Sequence, residues 1–120
     1  MKKSKSTNPV LLGLIEELKK KAHAEDAPIW RSLAKSLTGS SSRKAQVNIS
    51  RIARYTEKGD VVAVPGKVLG AGTIAYPVTV AAFNFSKQAR EKILSAGGRC
   101  ISLRDLTSEF PKGSNVKIIK

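Results

Sequence analysis

Val61-Val62-Ala63-Val64-Pro65-Gly66-Lys67-Val68-Leu69-Gly70-Ala71-Gly72 is the stretch around which the rest of the chain is organised. Small and branched apolar residues run up to Pro65-Gly66, and a second short run, Lys67-Val68-Leu69, stops at Gly70-Ala71-Gly72. Proline fixes φ and has no N–H to donate, and glycine accepts positive φ. Pro65-Gly66 therefore predicts a turn between two short strands. Lys67 then stands on a glycine turn, where the backbone can approach a large partner closely. No catalytic constellation accompanies it.

Gly66-Lys67 invites comparison with the phosphate loop of nucleotide-binding proteins. That loop requires Gly, four residues, then Gly-Lys-Ser/Thr, because the hydroxyl holds the metal ion. Here Val61 stands five residues before Gly66 and Val68 follows Lys67, so the pattern is absent. Gly66, Gly70 and Gly72 also lack the spacing of a dinucleotide fingerprint, and no long helix follows them.

Downstream, Val78-Thr79-Val80-Ala81-Ala82-Phe83-Asn84-Phe85 is the strongest strand signal, too continuously apolar to be half exposed. Ser86 is placed to cap a helix carrying Ala89, Ile93, Leu94 and Ala96, closed by Gly97-Gly98 where left-handed φ is needed. Arg99 to Leu103 predicts a further strand, which makes a strand-helix-strand unit with parallel pairing and a right-handed connection. Ser102 or Asp105 begins a short helix to Glu109, Phe110-Pro111-Lys112-Gly113 makes a tight turn, and Val116 to Ile119 is a last edge strand.

Upstream, Asn8-Pro9 gives an N-cap followed by proline at the first helical position. Leu11, Leu14, Ile15 and Leu18 recur at helical spacing, with Lys19, Lys20 and Lys21 near the carboxyl end, where the helix dipole favours cations. His23 lies in a polar link with too few acids nearby for a metal set. Asp26-Ala27-Pro28 opens a second helix with Ile29, Trp30, Leu33 and Leu37 on one side, and Trp30 is read as a core anchor. From Arg31 to Lys58 seven basic residues face one acid, Glu57. Ser40-Ser41-Ser42 is a flexible loop there, and Val47-Asn48-Ile49 a short extended piece. Ser50 is placed to cap a helix through Tyr55, in which Arg51 and Arg54 share one face while Ile52 and Tyr55 share another.

The charge bounds the function. The 120 residues carry 22 basic and 9 acidic side chains, formally +13. The first sixty residues hold thirteen basic against six acidic side chains and the rest hold nine against three, so the excess is not confined to a tail. A body charged throughout suits embedding in a polyanion, where phosphate contacts release counterions. No apolar run is long enough to span a bilayer, and Met-Lys-Lys-Ser-Lys lacks the apolar segment of a signal peptide. The single Cys100 has no partner for an internal disulfide, which fits a reducing compartment, and it reads as a small buried hydrophobe.

The ordered pieces resemble the archaeal and eukaryotic large-subunit ribosomal protein eighteen-e family, relatives of the bacterial large-subunit protein fifteen. The resemblance is carried by Asn8-Pro9, Ala27-Pro28-Ile29-Trp30, Val47-Asn48-Ile49-Ser50-Arg51-Ile52 and Arg54-Tyr55-Thr56. It continues through Val64-Pro65-Gly66-Lys67-Val68-Leu69-Gly70, Val78-Thr79-Val80-Ala81-Ala82, Phe85-Ser86, Ala96-Gly97-Gly98 and Pro111-Lys112-Gly113-Ser114. The compact length is that of an archaeal member. The resemblance implies an irregular β-β-α superhelix within the α/β class and binding to large-subunit ribosomal RNA beside neighbouring ribosomal proteins. It also implies a cytoplasmic ribosomal location, no enzymatic activity and no cofactor.

The expected organisation is a basic flexible tail over 1–7 and a single domain over 8–120, helical and basic to residue 58 and α/β from 59. Charge and placement nominate Lys2, Lys3, Lys5, Arg31, Lys35, Arg43, Lys44, Arg51, Arg54, Lys67 and Lys112 as ribosomal RNA contacts, with no catalytic and no metal residues. Two other classes fit less well. A small enzyme acting on a phosphorylated metabolite needs a convergent acid–base set, yet the one histidine is isolated. A DNA-binding chromosomal protein needs a recognition helix, and none is convincing.

Overall fold

The computed structural model describes residues 9–38 and 45–120. In chain order these form α1 (Pro9–Ala24), α2 (Pro28–Thr38), β1 (Ala45–Asn48), α3 (Ile49–Tyr55), β2 (Val61–Leu69), β3 (Thr79–Phe85), α4 (Lys87–Ser95), β4 (Arg99–Ser102), α5 (Leu103–Glu109) and β5 (Val116–Ile118). The strands make one sheet in the order β1-β2-β3-β4, with β5 also on β2, and every pairing is parallel. This is an α/β domain, and β3, α4 and β4 form the expected parallel strand-helix-strand unit.

Pro65-Gly66 is not a turn. β2 runs unbroken from Val61 to Leu69, and the two residues occupy a bulge in its pairing with β3, where Val64 faces Ala82 and Lys67 already faces Asn84. The other edge of β2 explains why proline is tolerated in the middle of a sheet. Val61–Ala63 pair with β5 and Gly66–Leu69 pair with β1, so two short strands lie end to end along one edge. Pro65 stands at the junction between them, where a missing N–H costs the ladder least. The crossover that carries the chain from the end of β2 back to the start of the parallel β3 is made by residues 70–78, without a helix.

Both faces of the sheet are covered, as a parallel sheet requires. Ala63 and Ala81 face a layer built from Leu14, Ile15 and Leu18 of α1, Trp30, Leu33 and Leu37 of α2, and Leu103 and Leu106 of α5. Val62, Val64, Val80 and Ala82 face the opposite way onto Ile49 and Ile52 of α3 and Ala89 and Ile93 of α4. The apolar run of β3 is therefore divided alternately between two cores. Trp30 is the expected anchor: it is fully buried, and its Nε1 donates to the Pro111 carbonyl at 2.7 Å.

Helix ends follow their local chemistry. Ser86 Oγ accepts from the Ala89 N–H and Ser102 Oγ from the Asp105 N–H, each satisfying an orphan donor of the first turn. Ser102, not Asp105, is the cap of α5. At the far end of α4, Gly97 N–H donates to the Leu94 carbonyl and Gly98 N–H to that of Ile93, with Gly97 at φ 86. Asp26 does the same for α1 at φ 51, with its N–H toward His23 and the Ala27 N–H toward Ala22. It closes the first helix rather than opening the second. Cys100 is half buried instead of fully so, and burial pushes its thiol upward.

Candidate nucleic-acid interface

α3 carries the charges of interest and is held at both ends. Its N-terminal side does not use Ser50 as a cap. The helix starts at Ile49, and Asn48 precedes it without a side-chain cap. Asn48 Oδ1 instead accepts from the Ala71 N–H at 3.2 Å, while the Ser50 N–H donates to the Ala71 carbonyl at 3.0 Å. The 70–78 loop is thus stitched across the start of α3. A Cβ on Gly72, whose φ is 101, would lie 2.6 Å from the Ser50 nitrogen, so the loop can come this close only with glycine. Lys92 clips the other side of the loop, donating to the carbonyls of Gly70 at 2.7 Å and Gly72 at 2.6 Å.

At the C-terminal end of α3, the Tyr76 hydroxyl lies 2.9 Å from the Ala53 carbonyl and 2.8 Å from that of Thr56, which satisfies acceptors a helix end leaves open. Lys117 of β5 donates to the Tyr55 carbonyl at 3.2 Å and pairs with Asp60 at 2.9 Å. Ile49 and Ile52 bury the inner side. Arg51 and Arg54 project outward from this fixed helix, exposed, and neither has an ion pair among the described residues.

The structure separates Tyr55 from Ile52. Ile52 is fully buried, whereas Tyr55 is 49% exposed and lies under Arg51, whose guanidinium carbon is 5.3 Å from the ring centroid. Residues four apart in a helix stack in this way. Between α3 and β5 opens a groove of about 630 Å³ lined by Arg51, Tyr55, Lys117, Ile118, Ile119 and Lys120. Lys120, which lines the groove, donates to Ser36 Oγ of α2 at 3.1 Å.

The nominated residues divide accordingly. Arg31 and Lys35 are exposed on α2, and Lys35 is the neighbour of Ser36. Lys112 is exposed in the turn after α5 but pairs with Glu25 at 3.3 Å, at the junction of α1 and α2. Lys67 is not on a glycine turn. It lies half buried within β2, paired with Gln46 on one side and Asn84 on the other, so its backbone is engaged in the sheet. Lys2, Lys3, Lys5, Arg43 and Lys44 fall outside the described residues, as do the 1–7 tail and the Ser40 loop. Sequence reasoning put Tyr55 on the Ile52 face, and it missed Lys117 and Lys120 because only the docking of β5 on β2 brings them beside Arg51.

The Lys117–Asp60 pair gives the groove a defined pH response. A hydrogen bond from Lys117, then one from the Glu57 N–H, holds the Asp60 carboxyl below its ordinary 3.8, and Asp60 in turn holds Lys117 above 10.5. The carboxylate contribution to stability is present above 3.8 and lost as pH falls through the lowered folded value. The ammonium contribution is present below 10.5 and lost as pH rises through the raised one. Urea midpoints of wild type and Asp60→Asn should therefore differ between these limits and converge beyond both. A constant offset at all pH values would show that the pair makes no such contribution.

No group of His, Cys, Asp and Glu among the described residues is arranged to hold a metal ion, and His23 is exposed. No described helix is long and apolar enough to cross a membrane. Beside α4, a cleft of about 540 Å³ contains Glu91 and Lys92, but Lys92 is engaged with the Gly70 and Gly72 carbonyls.

Fold and surface together define a small, strongly cationic parallel α/β domain with a basic groove on a rigid helix. The sequence profile of the family described as "Ribosomal protein 60S L18 and 50S L18e" matches residues 1–120. The chain is 48% identical to "Large ribosomal subunit protein eL18" of Methanococcus maripaludis over 119 residues, 99% of each chain. It is 46% identical to the protein of that name from Methanosphaerula palustris, covering 97% of this chain and 96% of the relative. Identity to that of Archaeoglobus fulgidus is 42%, with 96% and 98% covered. The chain belongs to the L18/L18e ribosomal protein family, and its similarity to these archaeal members spans nearly its full length.

Proposed function

We propose that this chain is a structural constituent of the large ribosomal subunit, in the cytoplasm, and that it binds large-subunit ribosomal RNA beside neighbouring ribosomal proteins. Its work is neutralisation and shape-fitting, not catalysis. Lys and Arg side chains contact phosphates of several RNA segments and allow them to pack together. The observation that carries this reading is the placement of Arg51 and Arg54: exposed, on a helix fixed at both ends, with no carboxylate paired to them among the described residues. Two guanidinium groups so displayed match phosphate oxygens. Arg31 and Lys35, exposed on α2 over the opposite face of the sheet from α3, add cations for a further RNA segment.

A salt titration of binding to large-subunit ribosomal RNA, beside a duplex DNA and a scrambled RNA, tests the reading. Wild type should prefer the ribosomal RNA, with log affinity falling steeply against log salt. Arg51→Ala with Arg54→Ala should weaken binding and flatten that slope by about two units, roughly one per phosphate contact. Unchanged affinity and slope would remove α3 from the interface. Equal affinity for all three polyanions would leave only non-specific attraction to a +13 chain.

A further inference from the structure

We propose that the groove between α3 and β5 receives one unstacked nucleotide of RNA, its base on the Tyr55 ring and its phosphate between Arg51 and Lys120. The proposal rests on the RNA-binding reading above and adds to it a site where a base, rather than phosphate alone, is held. Tyr55 is the starting point. It is a large aromatic residue left 49% exposed on a seven-residue helix whose Ile49 and Ile52 are fully buried. Its ring already carries the Arg51 guanidinium at 5.3 Å. Aromatic rings and guanidinium planes are the surfaces on which single-stranded bases stack.

The groove suits that occupant in size and polarity. Its volume of about 630 Å³ accommodates a nucleotide-sized ligand. Ile118 and Ile119 provide an apolar lining, and cations provide the rest. The cations differ in availability. Lys117 is engaged with Asp60 and the Tyr55 carbonyl, so it positions the wall of the groove. Among the described residues Lys120 contacts only a serine hydroxyl and Arg51 only the Tyr55 ring, so both can turn to a phosphate. An apolar peptide laid here would desolvate Arg51 and Lys120 without supplying a counter-charge. A base-paired segment could offer phosphates but keeps its base faces stacked away from the ring.

The test uses the full chain and a fluorescently labelled single-stranded hexa-adenylate, with an RNA duplex of similar charge as comparator. Tyr55→Leu keeps apolar bulk but removes the π face, Tyr55→Phe keeps the ring, and Tyr55→Trp enlarges it. Single-strand affinity should fall roughly tenfold in the leucine variant, stay level in phenylalanine and rise in tryptophan. The salt slope should be the same throughout, since no charge changes. Duplex binding should not follow the series. Equal affinity of Tyr55→Leu and wild type, or equal losses on duplex and single strand, would overturn the proposal. The two readings fail separately. A neutral Tyr55 series with a flattened slope in the Arg51/Arg54 variant sinks the base site alone. A graded Tyr55 series without preference for ribosomal RNA sinks the ribosomal RNA reading alone.

Discussion

Trp30→Ala is expected to destabilise the domain by about 3–5 kcal/mol, the range for truncating a fully buried large aromatic. Trp30 has no exposed surface, and it lies in the same core as Leu33, Leu37, Leu103 and Leu106. Its indole also fastens the 110–113 turn to α2 through the Pro111 carbonyl, so the substitution removes packing and a hydrogen bond across 81 residues of sequence. A loss of this size is a large part of the stability of an ordinary domain and corresponds to a Tm fall on the order of 10–20 °C. Thermal and urea unfolding read it directly. Trp30→Phe separates the two contributions, because it keeps most of the buried area and loses only the N–H. If alanine shifted Tm by no more than phenylalanine, the indole would not be anchoring two layers.

Gly98→Ala is expected to cost about 3 kcal/mol, while Gly97→Ala, one residue earlier, costs about 1 kcal/mol. The two glycines do different things. Gly97 takes the left-handed conformation at φ 86, and the space around it is open, since a Cβ there would meet only Pro77 Cβ, at 3.7 Å. Gly98 has no such φ requirement. A Cβ there would collide with the Val78 carbonyl oxygen and lie 3.1 Å from both the Ile93 carbonyl oxygen and its Cγ2. That Val78 carbonyl accepts from the Arg99 N–H at 3.0 Å, at the start of the β3–β4 ladder. The obstacle is backbone, which cannot rotate aside, so the strand itself must shift. Asparagine at 97 should be tolerated better than alanine at 98. Equal unfolding midpoints for the two alanine variants would mean that β4 has room to move.

The charge, the helices and most strands were legible because their signals are local. Leu14, Ile15 and Leu18 lie on one helical face and go to one core. Ser86 and Gly97 terminate α4 as their residue chemistry demands. Pro65-Gly66 was misleading for the opposite reason. Within ten residues it has every property of a turn, and it becomes part of a strand only because β1 and β5 meet end to end beside it. A pairing gap supplied by residues 45–48 and 116–118 leaves no trace in residues 61–69.

The candidate site divides along the same line. Arg51 and Arg54 could be placed together from their spacing, since three residues of helix bring side chains to one face. Tyr55 could not be assigned correctly, because i+3 from Ile52 and i+4 from Arg51 are both allowed by the helix. The neighbours choose between them: the inner side is filled by β2, β3 and α4, and the ring is left outside with the guanidinium. Lys117 and Lys120 lie more than sixty residues further along and enter the groove through a three-residue strand. The sequence by itself determined the charge that suits a polyanionic partner, the presence of the helices and the family. Tertiary structure alone decided which cations share a surface and which are already paired, because the contacts that arrange charges join segments whose separation in the chain carries no periodic signal.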